Sequence, residues 1–249
     1  MQKALVLPVF LIMALSAYAQ EKNEFDLSGE LRLKYFALSD EPDIFRNDYT
    51  EHQGENPDVE FGLLADVKLP YKLDVDLYPY AQYSQENKIA RLGLKTNLRY
   101  DMWEDILKVG FTHHSWHNAD VESPHSGGRS QDSVFADIYF AKLDRIELHL
   151  KPRFYFHGGE PLEIKTVYAG NEPGVSGELA LCVSGDYGRF SGILEPYIQT
   201  SWGVNRYGVL GEVDYALNRN LSLFVESQYY TDGEENRKVV AVGMNVKFK

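Results

Sequence analysis

Phe25-Asp26-Leu27-Ser28-Gly29-Glu30-Leu31-Arg32-Leu33-Lys34-Tyr35 alternates without a break. Phe25, Leu27, Leu31, Leu33 and Tyr35 share one side with Gly29, while Asp26, Ser28, Glu30, Arg32 and Lys34 share the other. Successive side chains of a strand point to opposite faces, so a period of two predicts a strand with one apolar and one polar face. The pattern returns along nearly the whole chain. Val59, Phe61, Leu63, Ala65 and Val67 continue it, then Leu73, Val75, Leu77, Pro79, Ala81 and Tyr83, then Ala90, Leu92, Leu94, Leu98 and Tyr100. Leu107, Val109 and Phe111 begin a fifth strand, Asp132, Val134, Ala136, Ile138 and Phe140 mark a sixth, and Ile146, Leu148, Leu150, Phe154 and Phe156 a seventh. Leu179 opens an eighth, a ninth ends at Trp202, and strands carrying Tyr207, Leu221 and Val240 follow. The long segment after the seventh, running to Gly177, has room for an extra strand near Ile164. The total is about twelve, each close to the ~9–11 residues with which a tilted strand crosses a bilayer.

The first residues say where such a chain goes. Lys3 precedes an apolar run over residues 4–15, and Ala17-Tyr18-Ala19 has the small-x-small form of a cleavage site. Residues 1–19 read as a secretory signal peptide, leaving 20–249 as one folded unit. No later stretch approaches the ~18 apolar residues of a spanning helix. The 25 basic and 37 acidic residues give a formal charge of −12, and loss of Lys3 makes the remainder more acidic still. That balance argues against nucleic acid or an anionic membrane face as a partner. Cys182 is the sole cysteine, so no intramolecular disulfide forms.

Two all-β architectures alternate in this way. A soluble sandwich buries one face of each strand, but has no reason to place aromatics at both ends of that face. Here Tyr35, Tyr83, Trp202, Tyr207 and Tyr229 fall at one end of the apolar series, and Phe25, Tyr100, Tyr215 and Phe248 at the other. Interfacial girdles explain both sets. Turns near Tyr71, Asp101, Asp144, Tyr187 and Arg219 are short, and most of the intervening connections are longer and polar. The expected fold is an all-β, antiparallel transmembrane barrel of about twelve strands in the outer membrane of a Gram-negative-type bacterium, reached by secretory export. An even number of strands puts both termini on the periplasmic side. Pro79, Pro152 and Pro196 fall within strands, where bulges are expected.

The polar face then lines the lumen. Asp58, Glu60, Asp66, Asp74 and Asp76 neighbour Arg91, Lys95, Arg99 and Lys108; His149, Lys151 and Arg153 give way to Glu195, Glu212, Asp214 and Glu226. Opposite charges on adjacent strands predict a lumen that is paired with itself or solvated, rather than a dedicated solute site; a single-sign lining would have marked a selective channel.

One stretch breaks the apolar rule. In Val109-Gly110-Phe111-Thr112-His113-His114-Ser115-Trp116-His117-Asn118-Ala119-Asp120, His113 and Ser115 continue the apolar face while His114 points the other way. Asp132 begins the returning strand at the same height and on the same face. Polar groups facing lipid are costly, which marks them as candidates for function. A serine hydroxyl needs an imidazole to take its proton, and the imidazole needs an acceptor to orient it. The alternative is that these residues already stand in the headgroup zone, where polarity carries no penalty. A metal site from His114, His117, Asn118 and Asp120 lacks a second ligand pair.

The final strand, ending its apolar series at Phe248, resembles those of bacterial outer-membrane proteins. His113-His114-Ser115 resembles the His-x-Ser of outer-membrane phospholipase A and, less closely, of lipid A deacylases. In those barrels the pair stands on a lipid-facing strand, with Asn or Glu on the next strand as third member. Gly127 stands where that member is expected, and Asp132 offers the substitute. The resemblance implies a lipid acyl-ester hydrolase with Ser115 as nucleophile, His113 as general base and Asp132 as the group that orients it. It also implies calcium as a cofactor, membrane lipids as partners, and a monomer or homodimer. The alternatives are a narrow porin-like channel for small polar solutes and a structural or receptor barrel.

Overall fold

The computed structural model describes residues 26–39, 58–84, 89–118, 128–156, 176–201, 204–231 and 236–248. They form twelve strands: β1 (Asp26–Ser39), β2 (Val59–Leu69), β3 (Leu73–Ser84), β4 (Ile89–Trp103), β5 (Leu107–Asn118), β6 (Gly128–Leu143), β7 (Ile146–Phe156), β8 (Ser176–Tyr187), β9 (Phe190–Ser201), β10 (Val204–Ala216), β11 (Leu221–Thr231) and β12 (Asn236–Phe248). Each pairs antiparallel with its chain neighbours, and β1 pairs with β12, so the sheet closes into a barrel without an edge. The leader at 1–19, Phe25, the segment around Ile164 and Trp202 lie outside the described residues; β9 ends at Ser201.

All five described turns lie at one end, the end that also holds the start of β1 and the finish of β12. At 70–72 both Tyr71 and Lys72 take positive φ, 64° and 62°. The 217–220 turn is pinned by the Asn218 side-chain oxygen, which accepts from the Asn220 amide at 2.8 Å. Phe248 pairs with Gly29 across the closing seam, and its ring occupies the space a Cβ on Gly29 would need. The chain's last aromatic therefore packs where its two ends meet.

The barrel is inverted relative to a soluble protein. Leu33 (47% exposed), Phe61, Phe140, Phe154 (57%) and Leu194 stand bare on the outside. Glu60 (0%), Glu195, Lys34 and Asn245 are buried inside. Water would oppose both halves of that arrangement, whereas hydrocarbon outside and hydrogen-bonded pairing inside satisfy both. Tyr35, Tyr83, Tyr207 and Tyr229 ring the end away from the short turns; Tyr100 and Phe248 ring the other, joined there by Trp103, Tyr187 and Phe190.

The bulges are not at the prolines. Register shifts fall at Phe36/Leu38, Asp101/Trp103 and Tyr139/Ala141. Pro79 keeps Leu94 opposite it, Pro152 keeps Leu179, and Pro196 keeps Val209. On the other side of each proline two rungs are missing and the register resumes unshifted. The physical reason is that both backbone polar groups of a strand residue point to the same neighbour. A missing N–H therefore interrupts one ladder and leaves the other intact, without an extra residue being needed.

Candidate functional site

The outward face of β5 and β6 carries the sequence-derived site. His113 and Asp132 are direct cross-strand partners, and the imidazole Nδ1 lies 2.8 Å from the carboxylate Oδ1. A carboxylate only accepts, so Nδ1 carries the hydrogen, and in the neutral imidazole Nε2 keeps the lone pair. The His113 side chain is 40% exposed and Asp132 18%. Thr96 of β4 pairs with His113 on its other side, and Phe156 of β7 pairs with Asp132. One step toward the short-turn end lie Phe111 and Val134, so the pair sits above an apolar wall.

Ser115 is half-buried and lies between Leu94 of β4 and Ser130 of β6. It shares the face of His113, two residues on. Among the described residues no hydrogen bond joins Ser115 to His113. The structure thus brings His113 and Asp132 together and leaves Ser115 on the same face, with no bond to either among the described residues.

His114 does point the other way. It is buried in the lumen, with Nε2 2.9 Å from the Tyr80 hydroxyl. The Tyr80 ring lies across Gly93, where a Cβ would collide with it. Asp120 and the side chains of His117 and Asn118 lie outside the described residues. Asp132, the carboxylate beside Ser115, is already engaged by His113, and the described residues assemble no cluster of three or more His, Cys, Asp or Glu side chains able to hold an ion. A calcium ion takes 6–8 oxygens, so the described donor set does not fit it.

The lumen is knit together by charge. Glu60 accepts from the Tyr78 hydroxyl at 2.6 Å and from Gln82 at 2.8 Å, with Lys34 3.4 Å away. Across the barrel Glu178 accepts from Tyr155 at 3.1 Å and Gln199 at 2.8 Å. Arg99 pairs with Asp76 at 2.8 Å and Lys151 with Glu195 at 3.3 Å, partners drawn from the charge groups that the sequence sets side by side. Arg32 and Lys34 do what the sequence reading missed. Arg32 bonds Glu212 and lies 3.4 Å from Glu226, while Lys34 lies 3.1 Å from Glu226. These partners are far apart in the chain, and the usable signal was that closure must bring strand one beside the last strands. Within the barrel remains a cavity of about 410 Å³, lined from β1 round to β7 and by β10 and β11.

Neither a protein-family model nor a curated protein sequence matches the chain. Solved structures do. The KdgM porin in complex with disordered oligogalacturonate is 9% identical over 89% of this chain and 99% of its own, with a TM-score of 0.52. The NanC porin is 7% identical over 88% of this chain and 100% of its own, at 0.56. LpxR from Salmonella typhimurium is 7% identical over 88% and 99%, at 0.50. At such identities the likeness is one of fold: a closed twelve-stranded antiparallel barrel of the outer-membrane type.

Proposed function

We propose that the chain spans the outer membrane and hydrolyses acyl esters of membrane lipids at its lipid-facing wall. The observation that carries this reading is the 2.8 Å bond between His113 and Asp132 on the outside of the barrel. Stability does not call for it, because apolar residues such as Val134 and Phe154 serve that wall as well or better. Catalysis does. Asp132 fixes the tautomer that leaves Nε2 able to accept the Ser115 proton, and it stabilises the imidazolium that forms. The serine oxygen then adds to the ester carbonyl. Collapse of the tetrahedral intermediate breaks the bond to the alcohol oxygen, and His113 returns the proton to that leaving group. Water, deprotonated by the same imidazole, releases the fatty acid from Ser115. Its position toward the long-loop end of β5 puts this chemistry near the membrane interface, where lipid esters lie. Ser115→Ala is expected to abolish release of fatty acid in mixed lipid–detergent micelles while the barrel still migrates as a folded band before heating. Wild-type protein without lipolysis, with or without added calcium, defeats the reading.

A second reading, a narrow channel for small polar solutes, has its own support in the charged 410 Å³ cavity and in the likeness of fold to the KdgM and NanC porins. Stable unit conductance of the refolded barrel in planar bilayers is expected on this reading, and silent bilayers count against it.

A further inference from the structure

We propose that the lumen binds a small solute bearing carboxylate or phosphate groups, held between Arg32 and Lys34 on β1 and Lys151 and Arg153 on β7. The site uses the cavity of the channel reading, on which it rests for its access, but it requires binding rather than conduction and is independent of the lipid-facing chemistry.

Three observations converge. The first is sign. The chain carries a formal charge of −12, yet six cations face this one cavity (the four above with Lys95 and Arg99) against four carboxylates, Asp76, Asp137, Glu212 and Glu226. The second is position. In a ring of twelve strands β1 and β7 are six places apart, so the two cation pairs stand on opposite walls. Their spacing is the same, two residues along an inward face, which allows a solute with two anionic groups to engage both. The third is unmet capacity. Among the described residues, Arg32, Arg99 and Arg153 each keep a buried Nε atom with no hydrogen-bond partner. Arg32 and Arg99 use Nη2 on Glu212 and Asp76, and Arg153 uses Nη1 on the Tyr155 hydroxyl at 3.4 Å. Wall carboxylates and tyrosine thus fix each fork in place while part of it still lacks an acceptor. A guanidinium carries five N–H donors, so each anchored fork keeps donors beyond those its wall partner takes, and an oxyanion in the cavity offers them lone pairs.

The test is calorimetric titration of the refolded barrel in detergent with citrate and, separately, inorganic phosphate, at constant ionic strength against chloride. The expected result is saturable one-to-one binding of at least one of them, and the stronger of the two names the group preferred. Arg153→Gln is expected to weaken it by about tenfold or more. That position is chosen because its hydrogen-bond partner is a tyrosine, whereas removing Arg32 strands two carboxylates. If Arg153→Gln does not fold, Arg153→Lys keeps the charge and loses the fork, and is expected to weaken binding several-fold. No saturable binding by the wild type, or equal affinity in the variant that folds, overturns the proposal. Bilayer measurements separate the two readings of the cavity. Silent bilayers with binding intact remove only the channel, while stable openings with cation preference and no anion binding remove this site and leave the channel standing.

Discussion

Two polar clusters occupy opposite faces of the same closed sheet. Inside, Glu60 is wholly buried and accepts from Tyr78 and Gln82, with Lys34 beside it. Outside, His113 and Asp132 form one pair above Phe111 and Val134, joined to no other side chain among the described residues. Both are hydrogen-bonded, yet they do different work. The inner cluster belongs to a mesh that replaces a hydrophobic core, so it is judged by stability. Among the described residues the outer pair is connected to no such mesh, so it is judged by chemistry.

On the proposed hydrolase reading, disabling the outer site gives the largest expected effect, in rate alone. Ser115→Ala or His113→Ala should lower lipid hydrolysis by on the order of a thousandfold or more, with the unfolding midpoint nearly unchanged. Asp132→Asn should fall short of that, because an amide oxygen still accepts from Nδ1; initial rates in micelles measure the difference. If both variants instead unfold the barrel, the distinction between the faces is lost.

Breaking the inner mesh gives the reverse signature. Glu60→Ala leaves Lys34 without one of its two carboxylates and two donors unmet, at an expected cost of about 3–5 kcal/mol. Urea unfolding in detergent should record it, with lipolysis per folded molecule unaltered. Gly93→Ala tests the same side more gently. The added methyl meets the Tyr80 ring, and overpacking of this kind costs about 1–3 kcal/mol. His114→Ala is the smallest change, roughly 1 kcal/mol for the lost bond to Tyr80, with hydrolysis intact. Equal losses of activity at His113 and His114, adjacent residues on opposite faces, would erase the comparison altogether.

Legibility followed the same division. The period of two was enough to put Leu33, Phe61 and Phe154 outside and Glu60, Lys95 and Arg153 inside, because alternation is a local property of strand geometry. It also put His113 and Asp132 on one face. Antiparallel pairing of adjacent strands, with a short turn between alternate ones, followed from turn residues and strand length. The prolines misled, since a sequence shows that a donor is absent but not which neighbour it would have faced.

What the sequence by itself determined, then, is the closed antiparallel barrel, its two faces and the residues of the outer pair. Only the tertiary structure decided that His113 and Asp132 are exact cross-strand partners at hydrogen-bond distance. It alone joined Arg32 to Glu212 and set β1 opposite β7. Face is encoded in each residue's parity along its own strand, so it can be read locally. Partnership across a seam or a lumen depends on register and closure summed over the whole ring, and no single strand carries that sum.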